Sequence, residues 1–252
     1  MRTSVILMIV LAVVRSAGGT EPGDIVINSV GMKLAYIPPG TFTMGSPETE
    51  PGRVSNETQR QVTFAKGFRI GVNEVTQKEW RLIMRTNPSY FKGDDLPVER
   101  ITWLEADEFC RRLSEKEQKR YRLPTEEEWE YACRAGTTTA YNTGGSKAAL
   151  ATAGWYLGNS GNQSQQVGRK KPNPWGLYDM HGNVSEWCVE RLDERSTDTT
   201  SAQLDGEEKA LRDLRGGSWG LSASDCRSAS RLRNAGTYRY FDLGLRVVCE
   251  LD

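Results

Sequence analysis

The sequence is poor in histidine, has no surplus of either charge, holds no hydrophobic run long enough to cross a bilayer, and carries an odd number of cysteines. Each shortage removes a class of function. The single histidine, His181, has no Cys/His companions at ligand spacing, which excludes a zinc centre. Thirty-three basic residues balance thirty-three acidic ones, and no basic stretch is interleaved with aromatics, so nucleic acid and other polyanions are excluded as partners. The apolar run VILMIVLAVV, Val5 to Val14, follows Arg2 and matches the h-region of a signal peptide; it is too short for a membrane span. Small residues from Ser16 to Gly19 offer cleavage positions, so residues 1–19 are expected to be a signal peptide. The alternative is an uncleaved anchor, the one route by which a membrane would enter. Either way the domain lies outside the cytosol, in a periplasm, a secretory-pathway lumen or the exterior, where disulfides persist.

What is present describes one globular unit. Apolar residues make up 37% and glycine adds 25 residues, an ordinary composition for a folded domain and not for a disordered chain. Beyond a polar linker at residues 20–30 no second boundary, repeat or low-complexity segment occurs, which predicts one domain over 31–252. KLAYIPPGTFTMGS reads as two strands around a Pro-Pro-Gly turn, and VTFAKGFRI as two more. Thr76 with Glu79, Thr102 with Glu105, and Thr125 with Glu128 each form a Thr-x-x-Glu capping box, the signature of a helix start. After the second box Ala106, Phe109, Cys110 and Leu113 recur at helical spacing; after the third, Trp129, Ala132 and Cys133 do. From about Thr137 periodicity gives way to Gly, Asn, Ser and Trp, so a loop-rich half is expected, held by metal or disulfides. The fold class is therefore α+β and irregular.

Two stretches carry candidate chemistry. In NPWGLYDMHGNVSEWCVE, Asp179 and Glu186 flank a His-Gly-Asn turn that lets main-chain carbonyls share a focus, a hard-oxygen set suited to Ca²⁺, against the plainer reading of a turn with solvated acids. Asn183 also heads a glycosylation sequon, as do Asn56 and Asn162. In LRGGSWGLSASDCRSASR a single thiol, Cys226, sits between a Gly-Gly turn and a run of arginines.

GMKLAYIPPGTFTMGS, EVTQKEW, PVERITWLEADEFCRRL, RLPTEEEWEYACRAGT, GLYDMHGNVSEW, RGGSW and LGLRVV stand in the order and spacing of the formylglycine-generating enzyme family, the sulfatase-modifying factors. The resemblance covers nearly everything after residue 30. It implies a loop-rich α+β fold related to C-type lectins and an O₂-dependent oxidation of a cysteine, within Cys-x-Pro-x-Arg of an unfolded sulfatase, to formylglycine. It implies a structural Ca²⁺ held by the side chains of Asp179 and Glu186 and the carbonyls of Gly182 and Val184. A second family calcium site uses an Asn where Gly154 stands. Catalysis in the family rests on Cu(I) between two thiolates, and here those places hold Leu221 and Cys226. Leucine cannot bind copper, so the oxidation is in question. A family Trp near the site is Ser185. The resemblance also implies a Cys110–Cys249 disulfide, while the partner place for Cys133 holds Arg231. Cys226 is then either a free thiol or bridged to Cys188. The expected partner is an unfolded sulfatase or another exported protein. Beside sulfatase maturation stand two alternatives: a different oxidation, or a non-catalytic recognition module presenting Arg227, Arg231, Arg233, Tyr238, Arg239 and Tyr240.

Overall fold

The structure is a computed structural model that describes residues 20–191 and 210–251, so the expected signal segment at 1–19 lies outside the described residues. All three capping boxes form. Thr76, Thr102 and Thr125 each accept the backbone N–H three residues on, and each glutamate returns to the threonine amide. They open α1 (Gln77–Met84), α2 (Trp103–Glu117) and α3 (Glu126–Arg134). Each helix then stops on a residue in the left-handed region, Arg85, Gln118 and Ala135.

The strand-like runs also form, as β2 (Lys33–Ile37), β3 (Gly40–Met44), β4 (Arg60–Phe64) and β5 (Phe68–Gly71). The expected linker at 20–30 is not one. Ile25–Ile27 forms β1 and pairs antiparallel with β2, because an edge strand needs only one row of main-chain partners and can leave its isoleucines exposed. β6 (Tyr121–Arg122) and β11 (Val248–Cys249) complete a five-stranded sheet in the order β1-β2-β5-β11-β6, while β3 and β4 form a separate hairpin.

The second half is loop-rich as expected, yet it holds more than loops. A short helix α4 (Lys147–Ala153) precedes β7 (Ser185–Arg191), β8 (Leu211–Arg215), β9 (Leu232–Ala235) and β10 (Leu243–Gly244), which make a four-stranded sheet in the order β10-β7-β8-β9. One apolar core joins α1 and α2 to the first sheet, with Trp80 stacked on Phe109 at 5.3 Å; a second surrounds Trp129 and Tyr131 of α3.

Disulfides do not hold this half together, since all five cysteines are unbridged and buried. The expected Cys110–Cys249 bridge is corrected accordingly. The two residues share one apolar cluster, but the Cys249 thiol donates to the Glu250 carbonyl instead. A Cys188–Cys226 bridge is absent too, because the two lie in separate apolar clusters. The fasteners are buried arginines. Arg215 pairs with Glu130 and donates to the carbonyls of Ala229 and Ser230, Arg227 pairs with Glu57 and Glu50, and Arg246 pairs with Glu186. A guanidinium carries five donors in a fixed fork, so one side chain can satisfy both a carboxylate and stray loop carbonyls.

Candidate functional site

The turn between Asp179 and Asn183 forms a floor against which two other loops rest. Asp179 and Asn183 adopt left-handed backbone conformations, and Gly182 has φ 104°. A side chain at Gly182 would stand 1.9 Å from the Trp155 carbonyl oxygen, so only glycine lets the two chains approach. Gly154 is as tight, with a built Cβ 1.8 Å from the His181 carbonyl oxygen. The resemblance places an asparagine near this position, and Gly154 itself leaves no room for a side chain in this packing.

Three buried carboxylates meet beneath this floor. Glu186 takes the Arg246 guanidinium on both oxygens, at 2.8 to 3.0 Å, and the Trp129 indole N–H at 2.6 Å. Glu74 accepts from the Asn183 side chain and the Val184 amide. Asp179 accepts the Gly168 amide on Oδ2 at 2.7 Å, while its buried Oδ1 has no hydrogen-bond partner. Burial first, then the charges of Asp179 and Glu186, push the Glu74 carboxyl well above its ordinary range. Burial pushes Asp179 up to about 6. Arg246 and Lys170 are the cations that these carboxyl groups feel. Among the described residues no three His, Cys, Asp or Glu side chains converge as a metal set. A cation here would therefore need main-chain oxygens beside Asp179 and Glu186. The orphaned Asp179 oxygen fits a hard ion.

The Cys226 loop is different. Its thiol is fully buried, donates to the Ser218 carbonyl at 3.9 Å, and is pushed up by burial, so it stays protonated. The Leu221 amide donates to the same Ser218 carbonyl at 3.2 Å, so the turn brings residues 221 and 226 to one oxygen. One sulfur and one isobutyl group do not make a copper site. Ser185 is buried in β7, its amide bonded to the Asp242 carbonyl. His181 binds the two loops together. Its Nδ1 donates to the Cys226 carbonyl at 2.8 Å and its Nε2 accepts the Asn142 amide at 3.0 Å, which assigns a neutral ring. Burial lowers its pKa to about 4. Cys133 packs 3.7 Å from the same Nε2 and is pushed by burial up to about 12.

Of the basic face expected over residues 227–240, Arg227 is buried and Arg231 partly so, while Arg233 and Arg239 stay exposed. Arg227 and Arg231 are spent on Glu57, Glu50 and Glu126, Arg233 pairs with Asp213, and Arg239 with Glu105. Tyr238 and Tyr240 are exposed, at 40% and 47%, and stack at 6.1 Å. They continue into Phe241, Tyr90, Phe91 and Trp219 through ring contacts of 4.9 to 5.7 Å. The buried Glu99 carboxylate accepts the amides of Tyr90 and Phe91 and so fixes that end of the strip. Asn183, buried and committed to Glu74, is no surface sequon, whereas Asn56 and Asn162 are exposed.

Glu74, Arg246, Glu99 and the Tyr90–Phe91 pair were not singled out from sequence. Glu74 and Arg246 do stand inside recognised motifs, EVTQKEW and LGLRVV, and Arg246 is a lone charge in an apolar run, itself the signal of a buried pair.

Residues 28–251 match the sulfatase-modifying factor enzyme 1-like domain. The chain is 29% identical to LppX of Paenibacillus barcinonensis, named a chaperone protein, over 98% of this chain and 99% of that one. It is 29% identical to the inactive C-alpha-formylglycine-generating enzyme 2 of Bos taurus, over 77% of this chain and 63% of the relative. Among solved structures PvdO from Pseudomonas aeruginosa superposes with a TM-score of 0.81 at 30% identity, covering 92% of this chain and all of that one. With a fold shared along its length and the family's domain matched from residue 28 to 251, the chain belongs to the formylglycine-generating enzyme family of sulfatase-modifying factors.

Proposed function

We propose that this chain is a recognition member of its family, binding an exported or unfolded polypeptide without oxidising it. The observation that carries this reading is the Cys226 thiol: fully buried, held protonated, and facing a place where leucine replaces the second sulfur. A soft Cu(I) ion is suited to a pair of thiolates, and leucine at 221 leaves one sulfur at the position the resemblance implies. An iron site with two imidazoles is also excluded by composition, because His181 is the one histidine and both its nitrogens are engaged. The names of two relatives, a chaperone protein and an inactive enzyme, agree with a role other than catalysis.

Binding would use the aromatic strip from Tyr90 to Trp219 and Tyr240, whose rings combine apolar area with little side-chain entropy to lose. Calcium, held by Asp179, Glu186 and the carbonyls of Gly182 and Val184, would serve as a fold component by neutralising the carboxylate cluster on which the neighbouring loops rest. Among the described residues no helix is long and apolar enough to cross a membrane.

The test is direct. Incubated with Cu(I), O₂ and a Cys-x-Pro-x-Arg peptide, the native protein should leave the thiol intact by mass spectrometry; conversion to the aldehyde refutes the non-catalytic reading. Reduced, carboxymethylated lactalbumin should bind as an unfolded probe. The double substitution Tyr238→Ala, Tyr240→Ala should weaken that binding about tenfold or more, the loss expected for one anchor residue.

A further inference from the structure

On the β3–β4 hairpin lies a groove that neither the carboxylate cluster nor the aromatic strip uses. Its volume is about 340 Å³, within the range of small-ligand sites. One wall is β3, which among the described residues pairs with β4 alone. The other is the turn 136–138 that follows α3, and Trp175 lines the groove as well. We infer that this groove binds a neutral saccharide.

Three observations converge on that class. The first is the aromatic lining. Trp175 meets Tyr131 edge to face at 4.8 Å, Tyr131 packs against Phe42 at 5.1 Å, and all three border the groove. Such rings offer the apolar surface on which the C–H face of a pyranose stacks.

The second is the polar lining. The register pairs Thr41 with Thr63 and Thr43 with Gln61. Gln61 donates its amide N–H to Thr43 Oγ1 at 2.8 Å, which leaves the Thr43 hydroxyl proton and the Gln61 carbonyl free. The Thr41 and Thr63 hydroxyls share one bond at 2.8 Å, so one of their two protons is likewise free. The Trp175 indole N–H and the Thr138 hydroxyl have no partner among the described residues. These are neutral groups, mostly donors, with the Gln61 carbonyl and the Thr138 hydroxyl oxygen as acceptors, and a sugar hydroxyl can meet either kind.

The third is the charge. Arg134, the single ionisable side chain at the groove apart from the tyrosine, is buried and spent on Glu130 and on the carbonyls of Gly45 and Thr139. No free cation is left for a phosphate, sulfate or carboxylate. An added peptide strand would need open space beside β3, but the 136–138 turn stands there.

The experiment titrates the intact protein with maltotriose, cellotriose and triacetylchitotriose, reading saturation-transfer difference NMR and tryptophan fluorescence. A sulfated heparin disaccharide and an extended hexapeptide are the competing probes. At least one neutral trisaccharide should bind, and Trp175→Ala should weaken it tenfold or more. Gln61→Ala, at an exposed hairpin site where folding is not at stake, should weaken it severalfold. Binding to none of the three, tighter binding of the anionic disaccharide or the peptide, or affinity unchanged in both variants would overturn the inference. The aromatic strip plays no part in it, so Tyr238→Ala with Tyr240→Ala should leave the saccharide signal in place.

Discussion

The Asp179–Glu186 loop and the Ser218–Arg231 loop lie against each other and treat ionisable groups in opposite ways. They are joined by the Trp219 amide on the Asn183 carbonyl at 2.9 Å and by His181 on the Cys226 carbonyl at 2.8 Å. In the second loop the charges sit in pairs: Arg227 with Glu57 and Glu50, Arg231 with Glu126 although its buried Nε has no hydrogen-bond partner among the described residues, Asp225 with the Ser222 hydroxyl and amide, and Asp242 beneath it with Ser218. Its one potential nucleophile, Cys226, is neutral. The first loop leaves three carboxylates against Arg246, with one oxygen unpaired. A loop whose ions sit in pairs behaves as scaffold; a loop with a buried carboxylate oxygen left unpaired stays coupled to protons and cations. Cys226 is buried and hydrogen-bonded as scaffold is, while the Asp179–Glu186 loop keeps an unpaired carboxylate oxygen.

The severest challenge to that contrast is Arg246→Met. It strands Glu186 in the interior beside two more carboxylates, and breaking a buried pair from one side costs about 3–5 kcal/mol. Urea unfolding should show a loss of that size, and a loss below about 1 kcal/mol would mean the cluster is already neutral. Arg227→Met should cost a comparable amount by the same mechanism. The two variants part on calcium: adding the ion should recover none of the Arg227→Met deficit.

Calcium and pH then separate the loops at intermediate cost. At a hundredfold excess over its dissociation constant, a native-state ligand adds about 2.7 kcal/mol, so chelator should lower the melting temperature of the native protein and not of Asp179→Asn, Glu186→Gln. The pH dependence has a definite sign. Asp179 is raised to about 6 from an ordinary value near 3.9, so its favourable contribution is complete below about 4 and is lost as pH rises through 6. Calcium favours the ionised carboxylate, so the gap between loaded and chelated protein should widen from pH 5 to pH 8. His181 runs the other way. Lowered to about 4, it supports the fold above about 6.5 and withdraws that support as pH falls toward 4. His181→Gln should flatten the acid limb alone, and a chelator effect that does not grow with pH would count against calcium at Asp179.

What was legible in the sequence follows from how local each signal is. The three helix starts were readable because a capping box lies within four residues, and the β2–β5 strands because turn residues bracket them. β1 was missed because an edge strand with exposed isoleucines looks like a linker. The sheet of β7 to β10 was missed because its pairings span long sequence separations and its strands lack alternation. Asp179 and Glu186 were found from their motif, but Glu74 joins them from a hundred residues away. The pairings of Arg227 and Arg231 were illegible for the same reason: nothing near either announces Glu57 or Glu126 as partners. Peptide mapping without reductant, expected to recover all five cysteines alkylated, checks the corrected disulfide reading.

The smallest expected effect gives the sharpest test of the scaffold loop. Leu221 is partly exposed at the rim, and its amide rather than its side chain is held, by the carbonyl of Ser218 that also receives the Cys226 thiol. Leu221→Cys removes some half-buried apolar area and leaves that hydrogen bond, so stability should change by no more than about 1 kcal/mol. Two sulfurs would then project from a turn whose ends meet at one oxygen, the arrangement a soft ion requires. A competitive Cu(I) titration should show the variant binding and the native protein not. The buried Cys226 must come out of its apolar surroundings to bind as a thiolate, so the gain should increase with pH as the thiol ionises. Cu(I) affinity in the variant with no aldehyde formed on a Cys-x-Pro-x-Arg peptide would place the remaining deficiency at Ser185, buried in β7 with its amide fixed to Asp242. If the variant gains no copper, the Ser218 turn holds the two side chains apart, and the loop is scaffold in its backbone as well as its chemistry. If the native protein binds copper as tightly as the variant, Cys226 is not sealed, and the contrast between the two loops fails.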